Sequence, residues 1–184
     1  MAIFDPSINP RVFHDWRHFL AFGMGSGLAR KAPGTWGTLA SVPFCVLLWW
    51  ILPAIEWFIV LLIFTGIGIV LCDKVSRDLG AHDHGGIVWD EWVGYGFSLI
   101  ALPQSWFSPV LAFVLFRVLD IWKPWPISWC DEHISGGAGI MLDDVLAGLF
   151  TCIALNFLWR SEWTQKIFFY GVHVVESWWK AFLA

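Results

Sequence analysis

Three groups of acidic residues stand out in a chain that is otherwise poor in charge. Asp83 precedes Asp90-Glu91 within His82-Asp83-His84-Gly85-Gly86-Ile87-Val88-Trp89-Asp90-Glu91. Asp120 sits between two cations, Arg117 and Lys123, in Phe116-Arg117-Val118-Leu119-Asp120-Ile121-Trp122-Lys123-Pro124. Asp143-Asp144 follows Gly139-Ile140-Met141-Leu142, directly ahead of an apolar run. A carboxylate beside hydrocarbon costs roughly 3 kcal/mol on insertion scales unless it is paired or metal-bound. Gathered together, such acids cannot all stay ionised without a counter-charge. A hard divalent cation supplies it, and an oxygen-only donor set suits Mg2+, which keeps waters and accepts phosphate oxygens. The candidate metal ligands are Asp83, Asp90, Glu91, Asp120, Asp143 and Asp144. Helix capping by Asp143 or Asp144 is the plainer alternative, but it explains one acid at one helix start and leaves the others without a role.

Arg117, Asp120 and Lys123 fall at i, i+3 and i+6, so on a helix they lie near one face. Two readings stay open: Arg117 and Lys123 bind phosphate while Asp120 joins the metal, or the three form a self-satisfied ion pair with a snorkelling Lys. Pro124 and Pro126 end the helix just past Lys123. Gly23-Met24-Gly25-Ser26-Gly27 and Pro33-Gly34-Thr35-Trp36-Gly37-Thr38 could present a helix start to phosphate, with Ser26, Thr35 and Thr38 as candidate contacts. The Gly-Lys-Ser/Thr ending of a P-loop is absent. His82 and His84 are secondary candidates for metal binding or proton relay. No Cys is followed six residues later by Arg and no D-x-D occurs, so the common phosphatase nucleophile patterns are missing.

The elements that must position these residues are apolar. The chain has 184 residues, 58% of them hydrophobic and only 14% charged, with a net charge of −4; mean hydropathy is +0.65. Soluble chains carry about 25% charge, so a disordered acidic protein, a nucleic-acid binder and an ordinary water-soluble enzyme are all excluded. Fifteen Trp against two Tyr point the same way. Trp49, Trp50, Trp57, Trp89, Trp92, Trp106, Trp122, Trp125 and Trp129 read as anchors at the membrane–water interface. Cys45, Cys72, Cys130 and Cys152 lack C-x-x-C spacing and read as reduced thiols. No signal-peptide pattern precedes residue 15.

Residues 32–72 hold one charge, Glu56, beside Pro53, which predicts a hairpin with arms at 39–52 and 57–72. Residues 92–116 hold none and are broken at Pro103-Gln104-Ser105, which predicts a second hairpin with arms near 93–102 and 106–116. A single run follows at 145–159. Each arm is shorter than the ~20 residues that span a bilayer, so the arms must extend into flanking polar positions or tilt. The expected fold is an all-α, polytopic bundle of about five apolar helices in hairpins. A C-terminal amphipathic helix follows in 162–184, beyond a membrane domain at 1–161. Two hairpins return the chain to one side each time, which gathers Arg11, Arg17, Arg30, Lys31, Lys74, Arg77, Arg117 and Lys123 there with all acids except Glu56, Glu162 and Glu176. The positive-inside rule makes that side cytoplasmic.

Several segments in register resemble phosphatidylglycerophosphatase A: Gly25-Ser26-Gly27, Pro33-Gly34-Thr35-Trp36-Gly37-Thr38-Leu39-Ala40, His82-Asp83-His84-Gly85, Ile87-Val88-Trp89-Asp90-Glu91, Asp120-Ile121-Trp122-Lys123-Pro124-Trp125-Pro126-Ile127 and Gly139-Ile140-Met141-Leu142-Asp143-Asp144. The resemblance covers about 19–158 and leaves the tail outside. It implies a Mg2+-dependent lipid phosphatase of the bacterial inner membrane that converts phosphatidylglycerophosphate to phosphatidylglycerol. Asp90, Glu91, Asp120, Asp143 and Asp144 would then be catalytic, around Mg2+ and the terminal phosphate. Attack by water and attack by an Asp both stay open. A cation transporter or channel built on the same acids, and a non-catalytic subunit packed through Gly66, Gly68, Gly94 and Gly96, are the rival readings.

Overall fold

The computed structural model describes residues 9–80 and 84–161, and these are helical with no strand among them. Two short helices, α1 (Asn9–His14) and α2 (Trp16–Ala21), lead into a tight 3-10 segment at Gly23–Leu28. Five longer helices follow: α3 (Pro33–Ile51), α4 (Ala54–Leu79), α5 (Trp89–Leu99), α6 (Phe107–Trp122) and, after the short α7 (Ile127–His133), α8 (Gly136–Trp159). The tail expected to form an amphipathic helix, with the domain boundary after residue 161, lies outside the described residues, as do His82 and Asp83.

Helix ends follow local chemistry. Pro33 opens α3, where its missing N–H costs nothing, and Pro53 forbids helical backbone at Leu52. Gly80 closes α4 in the left-handed conformation at φ 68°. Lys123 closes α6 at φ 43°, a conformation few side chains adopt, with Pro124 next in line. The arms do extend past their charge-free cores, and α3, α4 and α8 are long and apolar enough to cross a bilayer. At 11 and 16 residues, α5 and α6 fall short of that length.

α5 lies at the centre, against α3, α4, α6 and α8, and every residue in it except Glu91 is buried. Its crossing with α8 is closed by glycine. A Cβ on Gly94 would come within 2.6 Å of the Asp144 carbonyl oxygen, and one on Gly148 would run into the Gly94 carbonyl. The outer faces of the long helices stay apolar: Leu47 of α3, Ile63 and Val70 of α4, Val114 of α6 and Phe157 of α8 are all exposed. Water would penalise such a surface and lipid does not.

Four of the expected interface tryptophans are core residues instead. Trp49, Trp57, Trp89 and Trp92 are buried, whereas Trp50, Trp106, Trp122, Trp125 and Trp129 are exposed. Trp89 donates its indole N–H to the Phe64 carbonyl (3.2 Å) and stacks on Trp92 with centroids 6.5 Å apart. Large rings are needed there because glycines at 68 and 96 on facing helices leave room for them. Cys45, Cys72, Cys130 and Cys152 form no disulfide.

Candidate active site

One end of the bundle gathers the acids. α5 begins at Trp89, so Asp90 and Glu91 occupy its first turn, where the helix dipole and free N–H groups favour negative charge. The Glu91 N–H donates to Asp90 Oδ1 at 3.0 Å. α8 begins at Gly136, which places Asp143 and Asp144 about two turns inside the helix. They are therefore not caps, and the capping alternative fails. The tight crossing at Gly94 sets α8 beside α5 at this level, and one carboxylate oxygen from each of Asp90, Glu91 and Asp144 lies within 4.8 Å of the other two.

α6 supplies the third side. Arg117 Nη1 pairs with Asp120 Oδ2 at 2.5 Å, lies 3.7 Å from Glu91, and donates to Thr38 Oγ1 at 3.3 Å. The Thr38 hydroxyl in turn donates to the Gly34 carbonyl at 2.8 Å. Gly34 is required by space: a Cβ there would collide with Glu91 Oε1 and sit 3.2 Å from Arg117 Nη2. At the end of α6, Lys123 bridges Asp143 Oδ2 and Asp131 Oδ1, both at 2.6 Å. Burial alone would push the Lys123 ammonium down, but the two carboxylates outweigh it and hold it above the usual lysine range.

Asp90, Glu91, Asp120, Lys123, Asp131, Asp143 and Asp144 line a cleft of about 150 Å3 together with Gly85, Ile87, Gly139 and Ile140, and Arg117 adjoins it through its pairs with Glu91 and Asp120. Asp90, Asp143 and Asp144 expose only 9%, 6% and 3% of their surface, so water cannot hydrate them fully. Glu91 Oε2, Asp143 Oδ1 and Asp144 Oδ2 are buried without a hydrogen-bond partner. Orphaned carboxylate oxygens on three neighbouring residues are costly unless a cation takes them up. The donor set is all oxygen and fits a hard divalent ion.

Of the residues singled out in the sequence, Asp90, Glu91, Asp120, Asp143, Asp144, Arg117, Lys123 and Thr38 come together here. Ser26 does not: its hydroxyl donates to the Gly23 carbonyl at 2.8 Å, on the rim of a separate apolar groove beside Phe44 and Trp92. Thr35 is half-buried in the first turn of α3 and does not line the cleft. His84 stands outside it too, its Nδ1 accepting from the Gly86 N–H at 3.1 Å. Asp83 lies outside the described residues. Asp131 joins the site without having stood out in the sequence. Its one signal is that it is a carboxylate just past the two prolines that turn the chain back towards Lys123.

The rival readings lose their footing in this geometry. Away from this end, the only acid on the described apolar helices is Glu56, at the far end of α4, so no acidic path runs through the bundle. Of the four glycines, Gly68, Gly94 and Gly96 are filled against Met141, Asp144 and Leu61 of the same chain rather than left for a partner, and Gly66 stays open.

A family model described as Phosphatidylglycerophosphatase A matches residues 19–159. Phosphatidylglycerophosphatase A of Escherichia coli is 45% identical over 152 residues, covering 80% of this chain and 86% of that one. Its namesake in Haemophilus influenzae is 48% identical over 143 residues, covering 75% and 85%. A Bacteroides thetaiotaomicron protein provisionally named a phosphatidylinositol-3-phosphatase is 39% identical over 140 residues, covering 72% and 87%. No solved structure matches the chain. The matched stretch takes in the whole acid cleft and both of its cations, and the chain belongs to the phosphatidylglycerophosphatase A family.

Proposed function

We propose that this protein hydrolyses the terminal phosphomonoester of phosphatidylglycerophosphate to phosphatidylglycerol and inorganic phosphate, with Mg2+ as its cofactor. The observation that carries the reading is the trio of unpartnered carboxylate oxygens set between two cations. Family membership supplies the substrate: the named relatives act on a phosphomonoester carried by a phospholipid head group. Asp90, Glu91 and Asp144 would hold the metal, with Asp143 and Asp120 adjoining it. A divalent ion held by these carboxylates would supply Lewis-acid polarisation of a phosphoryl oxygen and of water. Arg117, steadied by Asp120 and Thr38, and Lys123, steadied by Asp131 and Asp143, face the phosphoryl oxygens on which charge accumulates. A carboxylate of the cluster takes one proton from water as the water oxygen bonds to phosphorus, and the acid so formed returns it to the glycerol oxygen as the bond from phosphorus to that oxygen breaks.

The test is phosphate release by purified protein in detergent. Release from phosphatidylglycerophosphate is expected to stop in EDTA and return with Mg2+. Release indifferent to EDTA would remove the metal, and no release with Mg2+ present would remove the activity.

In the bilayer, the same reading makes α3–α4 and α5–α6 two hairpins and α8 a fifth membrane helix, with α5 a partial span enclosed by the rest. The distribution of Lys and Arg supports a cytoplasmic cleft in a bacterial inner membrane. Residues 1–161 would be the catalytic unit, since the family match stops at residue 159. Truncation after Ser161 is expected to spare phosphate release in detergent; complete loss would make the tail part of the unit.

A further inference from the structure

A second feature lies on the outer face of α4 and shares no wall with the acid cleft. A groove of about 540 Å3 runs past Ile63, Gly66, Ile67 and Val70, between these and Trp16 and Arg17 of α2, and ends at Lys74. Its floor is open because Gly66 has no side chain: a Cβ there would meet no atom within 4 Å. From Ile63 to Lys74 the helix rises about 16 Å, close to the ~15 Å hydrocarbon depth of one leaflet. The groove thus has the length of one acyl layer.

Its polar end carries two cations. The Arg17 guanidinium lies over the Trp16 ring, 5.8 Å from its centroid, and comes no nearer to Asp15 than 3.8 Å. The Lys74 ammonium pairs with Asp78 at 3.3 Å, an exposed i,i+4 contact that contributes little and exchanges readily. Trp16 is 67% exposed beside them, as an aromatic at a membrane interface would be. An apolar trough one leaflet deep, with an aromatic and two available cations at its mouth, is complementary to a single lipid carrying net negative charge.

We propose that this groove binds one anionic phospholipid of the surrounding bilayer, its acyl chain along α4 over Gly66 and its phosphate between Arg17 and Lys74. The site is independent of the phosphatase reaction. Native mass spectrometry of the full chain, released from detergent with phosphatidylserine and phosphatidylcholine of equal chain length, tests it. The wild-type protein is expected to retain one phosphatidylserine with a preference of about thirtyfold, given about 1 kcal/mol for each of the two cations at the surface. Gly66→Leu projects a side chain into the floor, where its Cβ meets no atom within 4 Å, and is expected to lose that lipid. Arg17→Gln with Lys74→Gln is expected to hold both lipids equally. Equal retention by the wild type, full retention by Gly66→Leu, or an anionic preference that survives the double variant would overturn the assignment; the last two are what phosphatidylserine lodged in the acid cleft would give.

Discussion

Asp144→Asn is expected to lower kcat at least about a hundredfold, because even residues one shell removed from a metal are worth about 10–100-fold, and Asp144 offers its own unpartnered oxygen to the cleft. The same variant is expected to be no less stable than the wild type in EDTA. Asn keeps the shape of Asp while removing one negative charge from beside Asp90, Glu91 and Asp120, and without a cation those charges repel. Activity and apo stability should therefore move in opposite directions, as they do where a site is built against the interest of the fold. Phosphate release and the thermal midpoint in EDTA measure the two. A variant with wild-type turnover would take Asp144 out of the reaction. A variant that melts several degrees lower would make its role structural.

The second large effect is expected from a residue with no functional group. Gly94→Ala puts a methyl group 2.6 Å from the Asp144 carbonyl oxygen and 2.8 Å from the Phe116 ring, both in the packed interior. Overpacking of this kind costs about 1–3 kcal/mol, and relief requires α5 and α8 to part. Asp90 lies one turn from Gly94, so parting the helices draws Asp90 and Glu91 away from Asp144. A displacement near 1 Å is enough to cost about a hundredfold in rate. Gly94→Ala is expected to lower kcat more than tenfold together with the thermal midpoint, and a higher Mg2+ requirement should accompany both. Wild-type Mg2+ dependence in a destabilised variant would show that the crossing supports the fold but not the metal site.

Much of the acid centre is legible in the sequence because charge is scarce in this chain. Asp90-Glu91, Asp120 and Asp143-Asp144 interrupt runs in which almost nothing else is polar, and prolines at 53 and 124 mark where helices must stop. Legibility ends where hydropathy loses its meaning. Lipid is as apolar as a protein core, so nothing in the sequence separates Trp89 and Trp92, which fill the bundle, from Trp122 and Trp125, which face outward. The start of α8 is hidden for another reason: the apolar run begins only at residue 145, yet the glycines at 136, 137 and 139 let the helix begin earlier, tight against α4 and α7. That early start turns Asp143 and Asp144 from apparent caps into interior residues. Ser26 and Thr35 belong to a glycine-rich pattern that suggests a phosphate cradle, but Gly23, Gly27 and Gly37 serve packing around Val88, and Gly34 alone borders the site.

The shortness of α5 bears on how the protein is made. Eleven residues cannot cross a bilayer, and the backbone beyond Leu99 needs neighbours to shield it from hydrocarbon. α8, the partner that closes over α5, is synthesised some forty residues after it. A nascent chain halted before Gly136 would hold the Asp90-Glu91 pair beside Arg117 but without Asp143 and Asp144. Catalytic competence therefore arrives in a single late step of biogenesis, when α8 slides home.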